Sequence, residues 1–167
     1  ASCASEYHDP ADRRFHAQPN ACPQCGPSLT LVGTEGDTLD SSDPISATAT
    51  LLARGLIVAM RGLGGFHLVA NALSAEAIAL LRRRKQRPDK PLAIMARDLA
   101  TARKYCLVDE TAERLLCSPA HPIVLLERNP RHPLPEELSP DISEIGVMLP
   151  YTPLHLLLLY SEQCPEV

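Results

Sequence analysis

The stretch Lys85-Gln86-Arg87-Pro88-Asp89-Lys90-Pro91-Leu92-Ala93-Ile94-Met95 sets three cations and two prolines directly against an apolar run. PLAIMA (91–96) is short, apolar and bounded by turn residues, which is how a strand inside a sheet reads. Pro88 disfavours helix at the residue before it, so Lys85 and Arg87 are expected on a connector. Alternate residues of an extended segment point the same way, so these two cations are expected to project together. Held together they repel, and the arrangement makes sense around an anion. A nucleotide triphosphate fits, with arginine offering a planar fork and lysine a point charge.

The same patch continues upstream. Arg82, Arg83, Arg84, Lys85, Arg87 and Lys90 are six of the sixteen basic residues of the chain. For Arg82, Arg83 and Arg84 a plainer reading suffices: cations in a last helical turn offset the negative end of the helix dipole. That helix is expected to start after Ser74 as its cap, with Leu73 and Ile78 packing across the cap. Further back, Asp43 and Pro44 open a helix that Gly55 stops. LIVAM (56–60) reads as a strand buried on both faces. The glycines of RGLGGFH (61–67) then allow backbone N–H groups to approach a ligand, although the pattern matches neither the Walker nor the Rossmann fingerprint.

Downstream, DLATARKYC and DETAERLLC read as helices capped by Asp98 and Asp109. IVLLE (123–127) and EIGVMLP (144–150) read as strands, and Thr152-Pro153 opens a helix through LHLLLLYSE whose apolar centre implies burial. Strands alternating with helices predict an α/β domain on a twisted sheet of mixed or parallel strands.

The 167 residues, 45% hydrophobic and 22% charged, suit one core plus a small appendage. The net charge of −4 argues against a general nucleic-acid surface. No apolar stretch reaches the ~20 residues of a membrane span and no signal-like segment opens the chain, so a cytoplasmic location is the default expectation. Cys106 and Cys117 sit in apolar helical contexts and read as small core residues.

The polar, proline-rich opening ASCASEYHDPADRRFHAQPNACPQCGP cannot build a core alone. Cys22-Pro23-Gln24-Cys25-Gly26 is a zinc-knuckle pattern, and eighteen residues separate Cys3 from Cys22, a loop length that fits paired CxxC knuckles. Three thiolates are present; a fourth is expected upstream of Ala1 in a longer natural chain, with His8 or His16 as substitutes. Such a site folds its segment and catalyses nothing. A redox CxxC is the competing reading. Residues 33–43, GTEGDTLDSSD, read as a linker.

RRFHAQPNACPQCGP, GLIVAMRGLGGFHLVANA, KQRPDKPLAIMARD, PIVLLE and GVMLPYTPLHLLL together resemble the hydrogenase maturation carbamoyltransferase (HypF) family, in the segment joining its zinc-finger region to its YrdC-like domain. The resemblance implies residues 1–32 as the end of the zinc-finger region, 33–43 as linker, and 44–167 as a C-terminally truncated YrdC-like domain. The implied fold is α/β, a YrdC-like twisted mixed sheet with helices, incomplete, behind a zinc-knuckle segment. The implied activity is formation of carbamoyl adenylate from carbamoyl phosphate and ATP, with Mg and a structural zinc. The carbamoyl group then passes to the C-terminal cysteine of a partner, HypE, for cyanide-ligand synthesis in nickel-iron hydrogenase; the fragment alone is expected to be inactive.

By the same resemblance Lys85 and Arg87 bind the nucleotide phosphates and the acyl-adenylate as electrostatic stabilisers, with Lys90 following. Gly62, Gly64, Gly65, Phe66 and His67 cradle the adenylate, Tyr151 and Thr152 reach it, and Cys3, Cys22 and Cys25 hold the metal. Thr152 as a plain helix cap is the competing reading. Two departures favour the hydrogenase branch over threonylcarbamoyl-adenylate synthases of tRNA modification: Phe66-His67 replaces a Tyr-Gly pair, and Met148 replaces an arginine. The family's Ser-Gly-Asn motif is missing. A non-catalytic nucleic-acid-binding module is the remaining alternative.

Overall fold

Gly146 sits in the middle of the most buried strand. In the computed structural model, which describes residues 2–22, 24–39 and 42–167, a Cβ added at Gly146 would lie 2.8 Å from the Ile123 side chain and 3.4 Å from Ala93 Cβ. Chain packs against chain there. The chain divides into two units, residues 1–44 and 45–167.

In the first unit α1 (Ser2–His8) is a short helix that the polar composition gave no sign of. A turn follows in which the Asp9 and Asp12 carboxylates accept from the backbone N–H groups two residues on, as Asx turns do. Arg14 pairs with Glu6 at 2.7 Å. Within the stretch read as linker, Val32 and Thr38 form a β-bridge, and Gly36 turns the chain with φ +87.

The boundary falls at the first residue of α2 (Pro44–Ala53), a helix ended by Gly55 at φ +80. Strands β1 (Val58–Gly62) and β2 (Gly65–Val69) pair antiparallel, with Val58 opposite Val69 and Gly62 opposite Gly65. The expected both-faces burial of LIVAM is corrected: β1 alternates half-buried and exposed residues. The cause is local. Gly64, at φ +81, closes a two-residue turn that folds β2 back on β1, so the pair is a two-stranded ribbon and not the inside of a sheet.

Helix α3 (Ala75–Lys85) is capped by Ser74, whose side chain accepts from Ala77 N–H. Strand β3 (Ala93–Met95) runs parallel to β5 (Glu144–Met148), and β4 (Val124–Glu127) flanks β5 antiparallel, giving the order β3-β5-β4 in a mixed sheet. Between β3 and β4 lie α4 (Leu99–Tyr105) and α5 (Glu110–Leu116), capped by Asp98 and Asp109 as expected. Helix α6 (Pro153–Leu159) follows β5 with Thr152 as cap.

Two apolar clusters result. Ile145 and Val147 of β5 with Ile94, Ala102, Tyr105 and Leu116 form the larger; Ala49 and Leu52 of α2 with Leu158, Leu159 and Cys164 form the smaller. Full burial of α6 is also corrected: Leu158 and Leu159 are buried, but Leu156 is 46% and Leu157 57% exposed, so one stripe faces in. Arg97 secures the last residues. Its Nε donates to the Leu159 carbonyl at 2.7 Å, its backbone N–H to Glu166 at 3.0 Å, and Ala72 N–H reaches the Val167 carbonyl at 3.3 Å.

Candidate functional site

The three predicted thiol ligands of the first unit do converge. The Sγ atoms of Cys3, Cys22 and Cys25 lie within 4.8 Å of one another, with Cys3 and Cys25 3.1 Å apart and Cys22 and Cys25 3.6 Å apart. The knuckle is built by its backbone. The N–H groups of Cys25 and Gly26 both turn back to the Cys22 carbonyl, at 3.1 and 2.7 Å, and a Cβ on Gly26 would sit 3.0 Å from that carbonyl. Asn20 Nδ2 donates to the Cys3 carbonyl at 2.8 Å, which ties α1 to the knuckle.

Hydrogen bonds from the Gln24 backbone, then from Ser2 and the Cys25 backbone, push the Cys22 thiol down to about 6, whereas its bond to Cys25 first and then burial raise Cys3. Cys22 is therefore a thiolate at neutral pH, the form a metal needs. Among the described residues His8 and His16 take no part in this cluster; His16 stacks between Phe15 and Tyr7, and both histidines are exposed. Three soft donors at this spacing fit zinc, with one tetrahedral position left for a further ligand.

In the second unit the basic stretch is organised differently from its sequence reading. Lys85 is the last residue of α3 and not part of a connector. Gln86 follows in the left-handed conformation (φ 49, ψ 46), so that Gln86 N–H meets the Arg83 carbonyl and Arg87 N–H the Arg82 carbonyl. Those two bonds satisfy helix-end carbonyls before Pro88, which is how the helix extends one residue beyond expectation.

Arg82 is not a dipole-offsetting surface cation; that reading is corrected too. It is 8% exposed, and its guanidinium donates to the carbonyls of Arg87 (2.9 Å), Pro88 (2.8 Å) and Lys90 (3.1 Å) from Nη1, to Glu137 from Nε, and to Leu138 (3.2 Å) from Nη2. One side chain thus fixes the loop that carries Arg87 and Lys90 to the 3-10 turn Glu136–Leu138. The signal was present in the spacing, since Arg82 falls four residues after Ile78 on the buried face of α3. Arg87 is half-buried, gives Nη2 to the Pro91 carbonyl at 2.9 Å, and has a buried Nε with no partner among the described residues. Lys85 and Lys90 are exposed.

The hairpin residues divide. Gly64, Gly65 and Phe66 lie at an open tip, with Phe66 69% exposed and free space beside both glycines. His67 turns inward, its ring lying where a Cβ on Gly62 would meet it at 3.2 Å. Tyr151 brings its hydroxyl 3.3 Å from His67 Nε2. Thr152 is buried and accepts from His155 N–H at 3.2 Å, which is the helix-cap role. His155, which the sequence reading passed over, is 1% exposed and stacks on His67 with ring centroids 5.6 Å apart. Its signal was again position, three and four residues before the inward Leu158 and Leu159.

A cavity of about 190 Å³ lies against the two histidines. His67 and His155 line it together with Leu81, Leu92 and Leu138, the immediate neighbours of Arg82, Pro91 and Glu137.

Residues 50–165 match the family model described as telomere recombination (Sua5, YciO and YrdC), and residues 1–32 match the HypF finger. The chain is 53% identical over 158 residues, 95% of its length, to the carbamoyltransferase HypF of Rhodobacter capsulatus. The chain belongs to the HypF family. Its fold superposes on a crystal structure of a full-length HypF in a phosphate- and nucleotide-bound form with a TM-score of 0.81 at 50% identity, covering 96% of this chain and 21% of that one. A probable carbamoyltransferase HypF of Methanocaldococcus jannaschii is 35% identical over 74% of the chain and is matched over 16% of its own length. The P. abyssi Sua5 variant H234A/Y235A shares the fold of the YrdC-like part, with a TM-score of 0.65 at 24% identity over 72% of the chain and 36% of that protein. The chain spans about a fifth of the length of the HypF of R. capsulatus. The α/β, YrdC-like character expected for the second unit and the cysteine-bearing segment before it both hold.

Proposed function

We propose that this chain supplies the adenylate-forming part of a HypF-family carbamoyltransferase. The observation that carries the reading is the 53% identity, over 95% of the chain, to a protein named carbamoyltransferase HypF. In the proposed reaction water first cleaves carbamoyl phosphate to carbamate and phosphate, and a carbamate oxygen then attacks the α-phosphorus of ATP. The bond from that phosphorus to the bridging oxygen breaks, and pyrophosphate leaves with the electron pair. The protein's task is to neutralise the charge that grows on the phosphates, not to provide a nucleophile.

Lys85 and Arg87 take that role with Lys90 beside them, and a bound magnesium ion would supply further positive charge to the phosphates. Gly62, Gly64, Gly65, Phe66, His67, Tyr151 and Thr152 form the rest of the adenylate pocket; Thr152 acts there as the cap that orients α6. Cys3, Cys22 and Cys25 hold a structural zinc ion in the finger segment 1–32, and residues 44–167 form the YrdC-like part. The carbamoyl carbon is then attacked by the C-terminal cysteine thiolate of HypE and AMP leaves, a step that serves hydrogenase maturation in the cytoplasm.

The test is pyrophosphate exchange into ATP by a full-length HypF-family enzyme carrying these residues. Stimulation by carbamoyl phosphate, and none by threonine with bicarbonate, is expected. Stimulation by threonine with bicarbonate alone would reassign the chain to threonylcarbamoyl-adenylate synthesis.

A further inference from the structure

His155 is a buried imidazole with both ring nitrogens unpaired. It is 1% exposed, and neither Nδ1 nor Nε2 meets a hydrogen-bond partner among the described residues. A buried polar atom left without a partner is costly, so a group bound from outside is called for at this position. Burial first, and the neighbouring His67 second, hold the His155 ring below the ordinary imidazole range. It is therefore neutral near pH 7 and carries one donor and one acceptor.

Its neighbours are two further polar aromatic side chains. The His67 ring stacks on it with an interplanar angle of 22°, and the Tyr151 ring meets it edge-on at 4.5 Å. Tyr151 also holds its hydroxyl 3.3 Å from His67 Nε2, so it positions one of the two imidazoles, His67 and His155, that line this wall of the cavity. Met60, Val69, Met95 and Met148 supply apolar lining. No Lys or Arg lines the cavity among the described residues, which makes it a poor seat for a phosphate. Phosphate oxygens only accept; this wall can also accept from its ligand.

We propose that His155 and His67, with Tyr151 positioning His67, form the subsite for the carbamoyl group of the acyl-adenylate, with the amide N–H donating to one imidazole nitrogen and the carbonyl oxygen accepting from the other ring. The assignment rests on the carbamoyl-adenylate reading above and adds to it the residue that selects the acyl group. An acyl group without an N–H would leave the accepting nitrogen buried and unpaired, and a site that hydrogen-bonds its substrate discriminates strongly against such an analogue. His155 is thus a specificity-determining residue, and Gly62 serves it indirectly by leaving room for His67.

The experiment compares pyrophosphate exchange into ATP supported by carbamoyl phosphate with that supported by acetyl phosphate, in a full-length HypF-family enzyme carrying these residues, alongside ATP affinity by calorimetry. In His155→Leu the ratio of carbamoyl- to acetyl-supported exchange is expected to fall at least tenfold while the ATP dissociation constant stays within twofold. His155→Gln, which keeps one donor and one acceptor, is expected to recover part of that ratio. If His155→Leu does not fold, His67→Leu, at a half-buried hairpin position, is expected to lower the same ratio of carbamoyl- to acetyl-supported exchange. An unchanged ratio in the folded leucine variants, whatever the overall rate, overturns the subsite. A wild-type enzyme with no exchange under carbamoyl phosphate overturns the adenylate reading itself and the subsite with it.

Discussion

Arg82 donates a hydrogen bond from Nη1 to the carbonyl of Pro88 at 2.8 Å, and through it a buried guanidinium governs the shape of an exposed cationic loop. Five carbonyls between Arg87 and Leu138 share this one side chain. Arg82→Ala is expected to destabilise the domain by about 2–4 kcal/mol, because buried acceptors lose a charged donor. Arg82→Lys should recover less than half of that, since an ammonium cannot reach carbonyls spread around a planar fork. Arg84→Ala, on the exposed face of the same turn, should stay within about 0.5 kcal/mol. Urea denaturation of the three variants checks the ranking.

Asp98 caps α4 by accepting from Thr101 N–H at 2.7 Å, and that backbone bond, followed by the Thr101 hydroxyl, holds its carboxyl below the usual carboxylate range. A depressed folded value contributes stability above the unfolded value of about 3.9, and that contribution fades as pH falls through the folded value. Asp98→Ala is therefore expected to cost about 0.5–2 kcal/mol at pH 7. The gap between the two proteins should narrow below about pH 4. Thermal melts over that range measure it.

Gly64 turns the β1–β2 hairpin at φ +81 with open space around it, so a side chain there meets no clash and pays only in backbone conformation. Gly64→Ala should cost about 1–2 kcal/mol. Gly65→Ala, also in open space but outside the positive-φ region, should change stability by less than about 0.5 kcal/mol. Hydrogen exchange across 58–69 would localise the difference to the hairpin.

The thiols should separate by reactivity. Cys22 is pushed down to about 6, whereas burial pushes Cys106 and Cys164 up to about 11. Iodoacetamide at pH 7.5 is expected to alkylate Cys22 first in metal-free protein and to spare Cys106 and Cys164 until unfolding. Added zinc should protect Cys3, Cys22 and Cys25 together, read by peptide mass spectrometry. Protection of Cys22 alone would remove Cys3 from the ligand set.

Local signals carried most of the fold. Ser74, Asp98, Asp109 and Thr152 each cap the helix their spacing assigned them, because a cap needs only its own neighbours. Burial was less legible. LIVAM looked interior by composition, but its partner strand and the turn at Gly64 decide that it forms a ribbon. The basic stretch misled in a similar way: charge suggested that Arg82 faces water, while its place on the apolar side of α3 and the carbonyls of a distant turn at Glu137 and Leu138 bury it. His155 escaped notice because His67, which stacks on it, comes from a hairpin that only the tertiary fold brings beside it, and Tyr151 four residues earlier gives no sign of that alone. The cysteine cluster was readable from CxxC and one long spacing, since a metal knuckle is nearly a local structure.

In the proposed function Lys85 and Arg87 hold the phosphates during adenylation. The direct measurement is carbamoyl-phosphate-stimulated pyrophosphate exchange into ATP by a full-length HypF-family enzyme with and without Lys85→Ala and Arg87→Ala together. Loss of at least a hundredfold in a folded double variant, on the order of 3 kcal/mol of transition-state stabilisation, is the expected result. Full exchange in that variant would contradict it.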